Sequence, residues 1–162
     1  MTYRPQLNTL GFVLSEDGER VLLVHRIGRS GDYQLGKFNG LGGKLEPGED
    51  VVACMTREIA EEAGITVTSL RLRGTVSWPG FSAQGDEFGF IFVIDGWEGE
   101  VKASNEEGPL SWHRIDQLAD LPMWDGDRHF LPLVFDEAVG QFHGVLPYED
   151  GRSVSWSVTT LP

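Results

Sequence analysis

The sequence predicts an α/β fold in which a mixed sheet carries two principal helices. Short runs rich in Val, Ile, Leu and Phe, bounded by Gly, Asp and Pro, recur along the chain as strand signals. Two segments of helical period, about residues 50–63 and 127–139, stand among them. Strands interspersed with helices in this way make a layered fold on a mixed sheet, with strand order left open.

The elements follow in order. NTLGFVLS and ERVLLVHR flank the turn signal EDGE and read as a hairpin. The glycine-punctuated GRSGDYQLGKFNGLGG leads to a helix from Asp50 to Ala63, with acids in its first turn and Gly64 where a left-handed cap belongs. SLRLRGTVSW and EFGFIFVIDGW are strands separated by the flexible PGFSAQGD. PLSWHRI is a short strand entering DQLADLP, where Asp116 is the expected N-cap. DRHFLPLVFDEAV is the second main helix, capped by Asp127, with Pro132 tolerated near its start. FHGVLPY and RSVSWSVTTL close the chain as a hairpin around EDG.

With 162 residues the chain is most simply one domain, residues 1–162, large enough to bury a core without staples. Hydrophobic residues at 40% mark a globular protein. No apolar run approaches the ~18 residues of a membrane span, and the N-terminus lacks the parts of a signal peptide. The lone cysteine, Cys54, has no internal partner, so a reducing cytoplasm is expected. A net charge of −12 argues against a stable nucleic-acid complex, since such affinity comes from neutralising phosphates. It leaves open a small phosphorylated ligand held by placed cations and a metal.

The stretch GGKLEPGEDVVACMTREIAEEAGI, residues 42–65, packs six carboxylates into 24 positions. At about 100° per residue, Glu58, Glu61 and Glu62 share one sector of the helix beside an apolar stripe of Val52, Met55, Ile59 and Ala63. Arg57 flanks them, at i,i+4 from Glu61, with Glu49 within reach upstream. Most such runs are solvated faces. Here no matching lysines follow, and the preceding GLGGK leaves backbone groups open to close approach. Clustered carboxylates with exposed carbonyls suit a hard cation such as Mg²⁺, which keeps waters and substrate phosphates in its shell.

Gly43, Glu49, Arg57, Glu58, Ile59, Glu61, Glu62, Gly64 and Ile65 reproduce the Nudix box, G-x5-E-x7-R-E-U-x-E-E-x-G-U. Seven fixed matches arise by chance on the order of 10⁻⁸ per start position. The chain thus resembles the Nudix hydrolases. The resemblance implies a Nudix-type α/β/α sandwich with a central mixed sheet and cleavage of a diphosphate linked to another moiety. It implies Mg²⁺ as cofactor, with Mn²⁺ as a substitute. Carried over by position, the metal residues are Gly42, Glu58, Glu61, Glu62 and Glu107. Arg57 and Glu49 hold the acids in place. Which glutamate is the base stays open.

Outside the box, ERVLLVHR, GKFNGLGGKLEPGE, NEEGPLSWHRIDQL, LPMWDGDRHFLPLVF and FHG look, in shared order, like the MutT-related enzymes that hydrolyse oxidised purine nucleoside triphosphates. Within them, the chain resembles the animal-type branch. That resemblance makes Asn39 a reader of the purine edge, Trp124 the stacking ring and Asp127 a pocket carboxylate. Gly126 stands where the animal-type enzymes carry a second aspartate. Lys44 and Arg26 are candidates for the triphosphate, and Trp78 and Phe81 for the pocket wall. The four histidines have no ligand spacing. The expected partner is a nucleotide, acted on by a monomer or homodimer. ADP-ribose, a dinucleoside polyphosphate or an RNA 5′ end are alternative substrates, and a non-catalytic nucleotide sensor is the reading from another class.

Overall fold

The computed structural model describes residues 1–162. Its sheet is ordered β11-β8-β4-β5-β1-β2-β7-β6, and β3 joins β2 beside the main path. The strands are β1 (Gln6–Leu14), β2 (Arg20–His25), β3 (Phe38–Asn39), β4 (Thr66–Ser82), β5 (Gly85–Glu98), β6 (Ser104–Asn105), β7 (Gly108–Arg114), β8 (Gln141–Val145) and β11 (Ser157–Leu161). A separate two-stranded ribbon joins β9 (Tyr148–Glu149) and β10 (Arg152–Ser153). β1 runs parallel to β5 and β4 parallel to β8, and the other pairs are antiparallel, so the sheet is mixed. No helix is long and apolar enough to cross a membrane.

Strand alternation builds the two core layers. Val13, Leu22, Val24, Phe92 and Ile94 point to one face, where they meet Met55, Ile59 and Ala63 of α1 (Val51–Ala63). Phe12, Val21, Leu23, Ile91 and Val93 point to the other, against Phe130, Leu131 and Val134 of α2 (Asp127–Val134). A helix therefore covers each face of the sheet, which makes the expected α/β/α sandwich. α1 has its expected ends: Asp50 accepts from the Ala53 N–H at 2.8 Å, and Gly64 adopts φ 74°. Asp50 precedes the first turn, which holds no acid. Val52 is exposed, and Cys54 takes its place among the buried residues.

Three elements differ from the sequence reading. The hairpin of β4 and β5 runs on through most of PGFSAQGD, because Pro79 and Gly80 form an irregularity in register and pairing resumes at Ser82↔Gly85. Asp86 steadies it by accepting the Gly80 N–H at 2.9 Å. Ile115–Asp120 is a 3₁₀ helix with no side-chain cap, because Asp116 is held by Arg114 at 2.9 and 3.1 Å. α2 stops at Val134, five residues short of the expected end at Val139, and Asp127 is its first helical residue rather than its cap.

Arg73 explains where α2 stops. Its guanidinium, buried beneath the helix end, donates to the carbonyls of Leu133, Val134, Asp136, Val139 and Gly140 at 2.8–3.2 Å. It satisfies the orphan carbonyls of the last turn from the sheet side. Arg73→Met should therefore cost about 3 kcal/mol or more, since buried acceptors lose a charged donor. Removing the exposed Arg29–Glu106 pair by Arg29→Met should cost under ~1 kcal/mol. Urea unfolding of both variants checks this contrast; equal midpoints would refute it.

Candidate functional site

α1 supplies the acidic end of the site, and Arg57 organises it. Its Nε and Nη2 grip both oxygens of Glu49, at 2.6 and 2.9 Å, in a bidentate pair. Nη1 reaches Glu58 at 2.8 Å and Glu61 at 3.3 Å, and Nη2 also donates to the Lys44 carbonyl at 3.3 Å. One guanidinium thus ties the helix to the glycine loop ahead of it. That loop is stitched to β1 through Thr9 N–H to Gly43 O at 2.9 Å and Gly11 N–H to Leu41 O at 2.6 Å. Arg57, helped by the Glu46 N–H, holds Glu49 down at about 2.

The other acids have far less positive charge beside them. Burial, then the nearby Glu107 and Glu58 carboxylates, pushes Glu62 up to about 9 against the Gly42 N–H that it accepts at 2.9 Å. Burial also raises Glu58, against the pull of Arg57. Glu61 is exposed at the rim. Glu107 comes from the segment between β6 and β7 and accepts from Arg26 at 3.1 Å. Arg26 also donates to Asp32 at 2.8 Å, so its charge is engaged by two of the chain's own carboxylates. A Cβ at Gly43 would press on the Glu58 carboxylate and shift that side chain.

Hard oxygen donors that repel one another in a half-dry setting suit a divalent cation in kind and charge. The residues present fit one. They do not converge into a ready three-ligand cage, because Glu58 is turned toward Arg57. Mg²⁺ needs few protein ligands and takes the rest from water and phosphate.

A cavity of about 340 Å³ begins at Gly42, Gly43, Lys44 and Glu107 and ends among aromatic rings. It lies in the usual size range for small-molecule pockets. Asn39, Trp124, Asp127, Trp78, Phe81, Lys44 and Arg26 all line it. Phe81 meets Trp124 edge-on at 4.7 Å, and Tyr148 closes on both rings. Trp78 is nearly buried and belongs to the core cluster as well as to the wall.

Several residues here have no local signal in the sequence. Gln34 accepts from both the Asn39 amide at 3.0 Å and the Trp124 indole at 3.2 Å. The Lys37 ammonium lies 4.8 Å from the Trp124 ring centroid, a cation–π contact. Glu87 is a further carboxylate of the wall, raised by burial against the attraction of Lys44. Gly126 donates to the Tyr148 hydroxyl at 2.8 Å, and a Cβ there would strike that oxygen and Leu146. A side chain at position 126 would therefore have to displace Tyr148 or Leu146. Asp127 stands alone, and burial pushes it up to about 7 while the Trp124 backbone and Lys37 oppose the rise. Cys54 is buried beside Thr9 and the carbonyls of Gly43 and Lys44.

The family described as NUDIX domain matches residues 4–134. The uncharacterized Nudix hydrolase YvcI of Bacillus subtilis is 32% identical over 91% of this chain and 89% of its own. The oxidized purine nucleoside triphosphate hydrolase of Mus musculus is 30% identical over 92% and 90%. An NAD-capped RNA hydrolase, NudC of Chromobacterium violaceum, is 34% identical over 75% of this chain but 43% of its own length. Among solved structures, the mutator MutT protein of Bacillus halodurans superposes with a TM-score of 0.81 at 29% identity, covering 94% of this chain and 97% of its own.

Asp127 carries a pH signature. Between about pH 4, where an unfolded carboxyl titrates, and about 7, the folded chain keeps a proton that the unfolded chain has lost. This contribution to stability therefore falls as pH rises through that window. Asp127→Asn should gain on the wild type by on the order of a few kcal/mol between pH 4 and 8. Urea midpoints across this range check it, and parallel curves would contradict it.

Proposed function

The chain belongs to the Nudix hydrolase family, and we propose that it hydrolyses modified purine nucleoside triphosphates such as 8-oxo-dGTP to the monophosphate and pyrophosphate. The observation that carries this reading is the cavity, which joins a carboxylate and lysine end to an aromatic end bearing Asn39 and Trp124. A triphosphate suits the first and a purine the second. The mouse relative, alike over nearly its whole length, is named for the same substrate class. Nucleotide-pool sanitation would follow from that activity. We place the enzyme, a single domain over residues 1–162, in the cytoplasm on the strength of its free Cys54.

The geometry supports the following roles. Trp124 stacks on the base, and Asn39 and Asp127 meet its polar edge. Lys44 gives its ammonium to the phosphates. Mg²⁺, or Mn²⁺ in its place, would be held by Glu58, Glu62 and the Gly42 carbonyl with Glu61 and Glu107 beside them, neutralising phosphate charge and polarising the phosphoryl oxygen. Arg57 and Glu49 keep the helix acids from splaying under their own repulsion. One glutamate of the set takes the proton of a water that attacks phosphorus in line. With attack at the β phosphorus, the oxygen of that water ends in pyrophosphate.

A second reading keeps this chemistry and changes the substrate to ADP-ribose, a dinucleoside polyphosphate or an RNA end. The name of the NudC relative and the glycine at position 126, where the animal-type enzymes carry a second aspartate, favour it. The −12 charge weighs against long RNA. Side-by-side kcat/KM for 8-oxo-dGTP, dGTP and ADP-ribose tests the proposal, which expects 8-oxo-dGTP to lead; a clear preference for ADP-ribose would overturn it. Glu58→Gln and Glu62→Gln should each lower kcat by about 10²-fold or more. Near-wild-type turnover in both would reject these assignments.

A further inference from the structure

We infer that Gln34 is a positioning residue that sets which hydrogen-bonding face Asn39 presents to the nucleobase, and so determines base selectivity. The inference rests on the purine nucleotide reading above. Its starting point is chemical. An indole N–H can only donate, so the Gln34 atom 3.2 Å from Trp124 Nε1 must be the carbonyl oxygen, Oε1. That oxygen also lies 3.0 Å from the Asn39 amide. The Asn39 atom facing it must therefore be the nitrogen, Nδ2. Turning either amide over would set two donors, or two acceptors, against each other. The indole thus orients Gln34, and Gln34 orients Asn39.

The consequence lies at the cavity. Asn39 Oδ1 receives no hydrogen bond from the protein, and Asn39 lines the pocket. The pocket accordingly offers a fixed acceptor to the base edge. A ring N–H or amino group meets it well, and a lone pair does not. A pocket group held in one orientation discriminates where one free to turn over adapts to either edge.

Gln34 is itself pinned from two sides. Its N–H donates to Asp32 Oδ1 at 3.0 Å, while Asp32 Oδ2 accepts from Arg26 Nε at 2.8 Å. Its own amide nitrogen donates to the Tyr33 hydroxyl at 3.1 Å. Arg26 in turn holds Glu107 at 3.1 Å. The residue that aims Asn39 is thus anchored in the ion-pair chain of the acidic end.

Gln34→Leu removes the acceptor and keeps much of the bulk, whereas Gln34→Glu keeps an acceptor oxygen for both donors. Measure kcat/KM for 8-oxo-dGTP, dGTP and dATP in all three proteins. Gln34→Leu should compress the ratio between the best and worst substrate by about 10-fold, through KM and with kcat on the best substrate nearly unchanged. Gln34→Glu should keep the wild-type ratio. In ligand-free protein, the Trp124 indole proton should exchange slowly in wild type and Gln34→Glu and faster in Gln34→Leu. An unchanged ratio in Gln34→Leu, an equal loss in both variants, or unaltered indole exchange would overturn the assignment. A wild type that turns over none of the three nucleotides would instead overturn the parent reading, and this one with it.

Discussion

The arrangement depends on a single guanidinium set among carboxylates that would otherwise drive one another apart. Arg57 is bound bidentately by Glu49, touches Glu58 and Glu61, and reaches the Lys44 carbonyl, so helix and glycine loop share one charged joint. This contact is short and partly sheltered from solvent, which separates it from the exposed pairs scattered over the surface. It leaves Glu62 without a basic side chain in contact, while Arg26 is shared between Glu107 and Asp32. A divalent cation there would favour the ionised form of Glu62 and answer its charge.

The sandwich turns that local joint into a site with two ends. Thr9 and Gly11 of β1 hold the glycine loop, and β1 lies between β5 and β2 in the middle of the sheet. β2 and β3 bring Asn39 to the cavity from the same side. The opposite layer delivers Trp124 and Asp127 at the entrance to α2, whose far end Arg73 fastens to the sheet. The acidic end and the aromatic end of the cavity are therefore carried by different elements. The Asp32–Arg26–Glu107 chain links the loop that carries Gln34 to the acidic end.

What the sequence disclosed is what short-range physics controls. The limits of α1 follow from Asp50 and Gly64, both adjacent to the turns that they close. The spacing of Glu49, Arg57, Glu58 and Glu62 is a property of one helix and the loop before it, and it was readable for that reason. The rest depended on distant partners. Gln34 gains its meaning from Trp124, 90 residues away, and Tyr148 from Gly126 across the end of the sheet. α2 ends early because Arg73 intercepts its carbonyls, an event that no helical period records. The resemblance places Asp127 at the pocket, where it lies, but its position as the first helical residue rather than the cap is set by the fold.

The acids on α1 are proposed to form a divalent cation site. Mn²⁺ titration followed by electron paramagnetic resonance tests it most directly, because the signal reports bound ion without any substrate or turnover. The account predicts a site in the wild type that weakens at least ~10-fold in both Glu58→Gln and Glu62→Gln. Mn²⁺ held equally tightly by all three proteins would contradict it.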